Sequence, residues 1–428
     1  MAEVHPFRGI RYNQKIIEDL AAVICPPYDV ISPEEQRYYY QKSDYNVIRL
    51  EHGMELPEDT KMNAKHSRAN ATFNRWLKDG ILHADTVPVF YIHEHTFSYQ
   101  NIRKRRRGLM ACVKLESWES KVVFPHENTV SGIKSDRLEL MQACAANFSP
   151  LFGLYEDPGQ KVTQLLVLQT KRKPLVDFTE AGETHQLWMA SEPEFVQRVS
   201  HFLAPKPIYI ADGHHRYETA LAYQRQRQCG LSSITGNESF NFVMMTLVPF
   251  SEPWLIVLPI HRLVRGISPQ ALTEFRDRLE TFFEMKSFPL GETGLPDVAG
   301  TAIKVLGLKL GSVVALTLRQ SVSLEEIMPE HHSEVYKKLD VSIVQHLIME
   351  NLLGCSGEAD GVAYTPDAEQ ARQMVESGQY QLAFLLNPIP VTAIKAIADV
   401  NDRMPGKSTY FYPKLPTGLV INRLEGEI

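Results

Sequence analysis

The chain has 428 residues, of which 44% are hydrophobic and 22% are charged. These proportions are typical of globular proteins and exclude a disordered chain or a coiled coil, and at about 150 residues per domain the length allows two or three domains. Lys and Arg number 45 and Asp and Glu number 51, so the net charge of −6 argues against a whole-chain nucleic-acid binder.

The cysteines show neither a C-x-x-C pair nor the spacing of a disulfide framework, which indicates a reducing compartment. The N-terminus lacks a basic start and an apolar stretch, and no run approaches the roughly 18 apolar residues of a membrane span. We therefore expect a cytoplasmic protein that does not bind membranes. The scattered cysteines are Cys25, Cys112, Cys144, Cys229 and Cys355.

The N-terminal segment mixes helix and strand signals. Ser32 to Glu35 combines a helix cap, a first-turn proline and acidic residues, which predicts a helix start. Asn46 to Glu51 alternates apolar and polar residues like a strand. A further helix is predicted from Thr60 to Lys78, ending before Asp79-Gly80.

Two strands are predicted next, at Val87 to Phe97 and at Leu109 to Leu115. The turn between them would carry five basic residues, Arg103 to Arg107. Such a run permits a nucleic-acid interpretation. A solvated hairpin is favoured because no aromatic stacking platform accompanies the run.

The first cluster of reactive residues follows an apolar strand at Val122 to Phe124. Glu127 beside His126 can serve as a general base for a hydroxyl group, and Lys134 and Arg137 could meet phosphate. The structural alternative is that Glu127 is a loop carboxylate and that the polar residues before Arg137 only cap a helix.

The second cluster lies in a strand, turn and helix. Ile208 to Ile210 reads as a buried strand, Gly213 permits a sharp reversal, and the residues after it have a helical apolar face. Asp212 falls at the strand end, and His214, His215 and Arg216 fall at the helix start.

A helix start binds phosphate through its unpaired N–H groups, and an arginine adds charge-assisted hydrogen bonds. The helix dipole contributes only about 0.3–1 kcal/mol, so the cationic side chains must decide the affinity. In the alternative interpretation, Asp212 caps the helix and the basic residues form a solvated face. Metal binding by His214 and His215 is disfavoured because zinc ligands are usually spaced further apart.

The segment Asp212 to Ala220, D-G-H-H-R-Y-E-T-A, resembles the signature of the family called domain of unknown function 1015. The N-terminal elements P-F-R-G, P-P-Y-D-V and N-V-I-R-L resemble the same family, and the resemblance extends from Pro6 to Ile421. D-G-H-H-R is also similar to an element of the archaeal free L-serine kinases, which belong to the ParB/sulfiredoxin-like superfamily.

In those kinases a P-H-E element precedes D-G-H-H-R, and its glutamate acts as the catalytic base. Pro125-His126-Glu127 is similar to this element, but the stretch before Asp212 is far longer here, which implies an insertion. The resemblance implies an α+β fold, with a ParB/sulfiredoxin-like nucleotide-binding core at 86–266, an N-terminal α/β extension at 1–85 and a C-terminal α/β domain at 267–428.

Strands and helices continue into the C-terminal region. His261 ends a predicted strand that starts at Trp254, and we favour packing over a site role for it. The other predicted elements are a strand at 240–249, a helix through Phe275 and Leu279, a hairpin of 303–310 and 313–318 around Gly311-Ser312, helices at 339–353, 367–377 and 391–400, and a strand at 381–386.

Gly406-Lys407-Ser408 is similar to part of a P-loop, but we reject that interpretation. A P-loop needs a glycine at the position of Asn401, and it needs a strand before it and a helix after it. Lys407 and Lys414 can either close over the site or be structural.

The leading functional hypothesis is a nucleotide-dependent kinase that phosphorylates the hydroxyl of a small metabolite, free L-serine in particular, with ATP or ADP and Mg²⁺. Glu127 would take the hydroxyl proton, and Asp212 would orient the nucleophile or a magnesium ion. The predicted phosphate-binding residues are Gly213, His214, His215, Arg216, Thr219, Lys134 and Arg137, with His126 and Lys407 as additional candidates.

Two alternatives remain open at this point. The same site could act as a phosphatase for phosphoserine, or as a ParB-type nucleotide-binding switch without metabolic turnover. No helix-turn-helix with a basic recognition helix is evident, so we expect no nucleic-acid partner. The sequence leaves the oligomeric state open, a homo-oligomer included.

Overall fold

The computed structural model describes residues 1–57, 59–60, 64–129, 131–230, 233–290, 302–355 and 361–428. The chain divides into two compact units. The first unit contains Met1–Pro125, Thr129–Leu255 and Pro413–Ile428, and the second contains His126–Asn128 and Ile256–Tyr412. Both units combine helices and sheets, so the expected α+β class is confirmed. The predicted boundaries at 85 and 266 and the ParB-like core remain predictions.

A nine-stranded sheet organises the first unit. Most neighbouring strands are antiparallel, but Ile208–Asp212 runs parallel to Val123–Phe124, and Leu151–Tyr155 runs parallel to Phe242–Pro249. Across the sheet the strands follow the order Val123–Phe124, Ile208–Asp212, Leu151–Tyr155, Phe242–Pro249, Ile102–Lys114, Phe90–Tyr99, Glu183–Ala190 and Val176–Glu180, and Val4–His5 also pairs with Ile102–Lys114.

Apolar side chains cover both faces of this sheet. Along Phe242–Pro249, Val243 and Met245 pack into one hydrophobic cluster, whereas Phe242 and Met244 pack into another. Because successive side chains of a strand point to opposite faces, a strand covered on both sides reads as a continuous apolar run.

The helices of the first unit are Pro33–Lys42, Ile48–Glu51, Lys65–Lys78, Ser131–Cys144, Lys161–Gln169, Pro193–Leu203 and His214–Cys229, with 3₁₀ turns at Leu20–Ala22, Tyr28–Val30, Trp118–Ser120 and Ser239–Asn241. Small strand pairs join Ile10–Tyr12 to Leu82–Ala84, and Ala146–Asn147 to Asn422–Arg423. The helix start predicted at Ser32 is confirmed, because Ser32 and Glu35 form a reciprocal capping box. The start of the helix predicted from Thr60 falls partly outside the described residues.

Two local predictions in this unit were wrong. The strand expected at Asn46 to Glu51 is a helical turn, Ile48–Glu51, since the Asn46 side chain accepts a hydrogen bond from Ile48 N at 3.0 Å. The hairpin of Phe90–Tyr99 and Ile102–Lys114 is present, but its basic run lies in the second strand rather than in the turn. Arg106 in that run is buried, at 2% exposure, and is not solvated.

An antiparallel six-stranded sheet organises the second unit. Its strands follow the order Phe283–Pro289, Ser312–Leu318, Ala302–Leu306, Leu382–Leu385, His261–Val264 and Val362–Thr365. A separate pair joins Ile256–Pro259 to Thr409–Tyr412. The helices are Pro269–Phe282, Leu324–Ile327, Glu334–Lys337, Asp340–Ser342, Ala368–Glu376 and Val391–Asp399, with a π-helix at Ile343–Leu352.

Most predictions for this unit agree with the structure, but the single strand expected from Trp254 to His261 was wrong. It is two strands in different sheets, because Pro259 cannot donate to a continuing ladder and ends the first of them. The hairpin predicted around Gly311-Ser312 is present, although its first strand already ends at Leu306. Among the described residues, no helix has the length and apolar character needed to cross a bilayer.

Candidate active site

The strands that precede the two reactive clusters are neighbours in the sheet of the first unit. Val123 pairs with Ile208 and Phe124 with Tyr209 in parallel. The carboxyl ends of parallel strands lie at the same edge of a sheet, so the chain leaves that edge before Glu127 and again at Asp212. The sequence predicted both strands but not their pairing.

Gly213 joins the strand Ile208–Asp212 to the helix His214–Cys229. Its φ of +97° lies in the left-handed region that favours glycine. A Cβ atom here would lie 3.1 Å from both Nε and Nη2 of Arg216, because that side chain folds back over the turn. The predicted strand, turn and helix are therefore confirmed, and the glycine leaves room for the arginine.

The Asp212 carboxylate contacts two cationic side chains. Its Oδ2 accepts a hydrogen bond from Arg216 Nη2 at 2.7 Å, and its Oδ1 accepts one from Lys414 Nζ. All three side chains are largely buried, with exposed fractions of 10–16%. Burial by itself would raise the pKa of Asp212, but the charges of Lys414 and Arg216 outweigh that effect and hold the pKa well below its usual range.

Arg216 is anchored on its other side by the loop before the strand Leu151–Tyr155. Its Nη1 donates to Ser149 Oγ at 3.0 Å and to the Pro150 carbonyl at 2.6 Å. Burial would lower the pKa of Arg216, but the carboxylate of Asp212 more than compensates and raises it. The guanidinium is thus a fixed, permanently charged group at the helix start.

His214 and His215 occupy the first turn of the helix, as predicted. His214 is buried and His215 is half-buried, and both have interaction partners. The charge of His214 contributes to lowering the pKa of Asp212. The helix start therefore combines histidine and arginine side chains around one carboxylate.

The other predicted phosphate ligands of the first unit lie in two different environments. Lys134 Nζ donates to Glu218 Oε2 at 2.7 Å and to Thr129 Oγ1 at 3.0 Å, which ties it to the helix His214–Cys229. Arg137 is buried at 5% exposure and donates to the Glu51 carbonyl at 2.6 Å. The charge of Arg137 is thus neutralised inside the unit, where Asp136 also accepts from it.

Thr219 lies more than one turn into the helix, away from its first residues. It is 1% exposed, and its hydroxyl has no hydrogen-bond partner among the described residues. It lines a cavity of about 40 Å³ together with Arg137, Arg216 and Ser149. This space is large enough to hold water.

Glu127 belongs to the second unit, where the segment after Met404 wraps around it. Met404 N donates to the His126 carbonyl at 2.8 Å, and Glu127 forms a parallel bridge with Met404. Glu127 Oε1 accepts hydrogen bonds from Thr409 N at 2.7 Å, Thr409 Oγ1 at 2.6 Å and Ser408 N at 3.2 Å. Among the described residues no donor to Oε2 is present, so one carboxylate oxygen is fixed and the other is available.

His126 supports this arrangement through Thr409. His126 Nε2 lies 3.0 Å from Thr409 Oγ1. The threonine hydroxyl has one proton, which it donates to Glu127, so it must accept from His126. Lys407, an additional candidate from the sequence, is exposed and has a φ of +59° in the same segment.

Arg262 is a second polar feature of this unit that the sequence did not indicate. It is completely buried, and none of its guanidinium nitrogens has a hydrogen-bond partner among the residues that the structure describes. Its Cζ lies 5.7 Å from the centre of the Tyr364 ring. The neighbouring His261 is packed as favoured, since its Nδ1 accepts from Leu386 N at 3.1 Å.

The site residues that sequence reasoning missed are mostly partners from distant parts of the chain. Ser149, Thr409 and Arg262 carry no local motif. The sequence left Lys414 either closing over the site or structural, and it did not indicate the contact with Asp212. Thr409 follows the Gly406-Lys407-Ser408 segment directly, but the partial P-loop resemblance of that segment does not indicate its contact with Glu127.

The fold is mixed α/β, and the Asp212 carboxylate beside a helix start is held by two cationic side chains. The sequence matches the family described as "Protein of unknown function (DUF1015)" over residues 4–342, and the chain belongs to this family, as predicted. No curated protein matches the sequence.

Several solved structures are similar at low identity. A conserved hypothetical protein from Pyrococcus furiosus is 12% identical, with a TM-score of 0.35 over 72% of this chain and 93% of that one. A free serine kinase in complex with AMP is 14% identical, with a TM-score of 0.34 over 73% and 92%. A C-terminally truncated SbnI from Staphylococcus aureus is 12% identical, with a TM-score of 0.32 over 71% and 84%.

Proposed function

We propose that this protein is a nucleotide-dependent kinase that phosphorylates the hydroxyl of a small metabolite, free L-serine in particular. The observation that carries the proposal is the parallel pairing of Val123–Phe124 with Ile208–Asp212. The chain segments that bear the candidate base and the candidate phosphate-binding turn leave the sheet at the same edge.

In this proposal Glu127 is the general base. Its Oε1 is fixed by Ser408 and Thr409, and its Oε2 accepts the proton of the substrate hydroxyl. The deprotonated oxygen forms a bond to the terminal phosphorus, and the bond from that phosphorus to the bridging oxygen breaks. The nucleotide leaves one phosphate shorter, as ADP from ATP or as AMP from ADP.

The phosphate-binding role belongs to the helix start. Gly213 lets the backbone turn closely, and Arg216, His214 and His215 supply donors and positive charge. Phosphoryl transfer requires mainly positioning and charge neutralisation, which these groups provide. Lys134 and Lys407 remain candidates for further charge, whereas the burial of Arg137 and Thr219 favours a supporting role for those two.

Magnesium could bind at Asp212 if one of the cationic side chains that contact this carboxylate moved away. The ion is usually held by one or two carboxylates together with nucleotide phosphates, and Asp212 offers such a carboxylate. Both oxygens of Asp212 are paired with Lys414 and Arg216 here, so the ion would have to displace one of these cations. When bound, magnesium would neutralise phosphate charge.

The choice of L-serine rests on the similarity of Pro125-His126-Glu127 and D-G-H-H-R to the serine-kinase elements. The test is an assay of the purified protein with Mg²⁺, L-serine and either ATP or ADP, in which phosphoserine is detected by mass spectrometry. Wild type should form phosphoserine, and Glu127→Gln and Asp212→Ala should abolish it.

Other results would identify other functions. Phosphate release from phosphoserine without nucleotide would replace the kinase by a phosphatase. Nucleotide binding that changes the oligomeric state without turnover would indicate a ParB-type switch. Turnover that persists in Glu127→Gln would remove Glu127 from the role of base.

A further inference from the structure

A cluster of histidines lies on one face of the central sheet, in the strands Phe90–Tyr99 and Glu183–Ala190. His95 pairs directly with His185 across these antiparallel strands. Glu183 precedes His185 by two residues, so both side chains point to the same face. One ligand atom from each of these three side chains lies within 4.8 Å of the others.

The three groups contact one another closely. His95 Nε2 lies 2.7 Å from Glu183 Oε2, and the ring centres of His95 and His185 are 4.1 Å apart. His95 and His185 are buried, at 1% and 5% exposure. A fourth residue, His93, lies beside them, with its Nε2 3.1 Å from His185 Nδ1.

One ring nitrogen in this cluster has no partner. Glu183 accepts the proton of His95 Nε2, so in the neutral imidazole Nδ1 carries a bare lone pair. His95 Nδ1 is buried, and no hydrogen-bond donor among the described residues reaches it. Buried polar atoms are nearly always paired, so the hydrogen bonding of the cluster is incomplete as it stands. Because Nδ1 and Nε2 point to different sides of the imidazole ring, an ion that also binds Glu183 would be held at His95 Nε2, in place of the proton that Glu183 accepts.

We propose that His95, His185 and Glu183 form a binding site for a divalent transition-metal ion of the zinc type. Imidazole nitrogens and a carboxylate oxygen are the ligands that zinc uses in proteins. His93 would hold the ring of His185 in place from the outer layer.

The ligand types determine which ions fit, because the charge of a neighbouring arginine opposes every cation alike. Arg106 pairs with His95 across the adjacent strand, and its charge acts on all three histidines. A hard cation such as Mg²⁺ or Ca²⁺, which depends on several carboxylates, would meet one carboxylate and this opposing charge. Zn²⁺, Co²⁺ and Ni²⁺ gain affinity from imidazole and are the ions that the site should select.

The ion would clamp two strands together. All three ligands come from the neighbouring strands Phe90–Tyr99 and Glu183–Ala190, so metal binding would stabilise the side of the sheet that ends in Val176–Glu180. Binding to the folded state alone raises the unfolding temperature by mass action. This role does not depend on the proposed kinase activity.

The experiment uses the full-length, tag-free protein after treatment with a chelator. Titration with Co²⁺ should give the visible absorption of a four-coordinate ion at one equivalent per chain, and Zn²⁺ should remove that absorption. His95→Asn, His185→Asn and Glu183→Gln should each weaken Zn²⁺ binding at least about tenfold. His201→Asn, which changes an exposed helical histidine, is the matched control and should bind like wild type.

Two further measurements keep the test decisive if a variant folds poorly. X-ray absorption of the zinc-loaded wild type should show two or more imidazole ligands, and Zn²⁺ should raise the unfolding temperature of wild type but not of His185→Asn. Failure of wild type to bind one equivalent of Zn²⁺ or Co²⁺ would overturn the proposal. Unchanged binding in well-folded His95→Asn and His185→Asn would also overturn it.

Discussion

Lys414 donates a hydrogen bond to Asp212 although 202 positions separate the two residues in the chain. Together with Arg216 it gives one buried carboxylate two cationic partners. Removing one partner of a buried ionic group leaves the others without compensation, so this cluster is sensitive to any single substitution.

The Asp212 cluster predicts a pH-dependent contribution to stability. The folded pKa of Asp212 is depressed, so its contribution is fully present above the unfolded pKa of about 3.9 and is lost as the pH falls towards the folded value. Asp212→Asn should lower the unfolding temperature clearly at pH 7, and the difference from wild type should shrink below about pH 4. Thermal unfolding across this range is the measurement. Asp44→Asn, at a 94% exposed side chain, should show no such gap.

Substitution of Gly213 can distinguish the effect of backbone strain from the effect of displacing the Arg216 side chain. Alanine at this positive φ costs roughly 1–2 kcal/mol, and its Cβ would also push Arg216 out of place. Gly213→Ala should therefore destabilise the protein and weaken nucleotide binding. Gly182→Ala is the matched control, because φ there is +82° but no atom lies within 4 Å of the added Cβ. Equal nucleotide affinity in both variants, measured by calorimetry, would contradict the proposed role of Arg216 in nucleotide binding.

Removing the Thr409 hydroxyl without changing the volume of the side chain should lower the proposed activity. Thr409→Val removes the hydroxyl that donates to Glu127 Oε1 and accepts from His126. A hydrogen bond to a charged group contributes about 1.5–3 kcal/mol, so kcat for phosphoserine formation should fall roughly 10- to 100-fold. Thr417→Val removes a buried hydroxyl that has no partner among the described residues and should leave kcat unchanged. A full rate in Thr409→Val would mean that Glu127 does not need this support.

Replacing Arg262 by an apolar residue should stabilise the protein. Replacing buried ion pairs by well-packed apolar side chains of similar volume often stabilises by ~1–4 kcal/mol, because it removes the cost of burying charge. The Arg262 guanidinium is buried without hydrogen-bond partners among the described residues, so Arg262→Met should raise the unfolding temperature. Arg106→Met is the contrasting variant, since Arg106 is also buried but donates to the Pro413 carbonyl at 2.7 Å. It should lower the unfolding temperature. Destabilisation in both variants, measured by calorimetry, would show that Arg262 is satisfied in solution.

Local sequence signals predicted the elements that depend on neighbours in the chain. The strand, glycine and helix around Gly213 and the capping box at Ser32 follow from adjacent residues alone. The strand predicted at Asn46 to Glu51 was wrong because the Asn46 amide also donates to the Ala22 and Ile24 carbonyls. The alternation of apolar and polar residues cannot reveal such contacts.

The candidate site was predictable only in part for the same reason. The residues with unusual chemistry, Glu127 and Asp212, stand in recognisable motifs. The groups that hold them, Thr409 and Lys414, lie 282 and 202 positions away. The histidine cluster had a weak local signal, since His93 and His95 alternate along a strand, but its pairing with His185 depends on the strand register.

The return of Pro413–Ile428 to the first unit has a consequence for how the protein matures. Ribosomes build the chain from its N-terminus, and domains generally fold as they emerge. Ile10 pairs with Ile421 and Cys25 with Thr417, so the first unit cannot close until the second has been translated. Lys414 reaches Asp212 only at that stage, so in a nascent chain Asp212 lacks this partner until residue 414 has been synthesised.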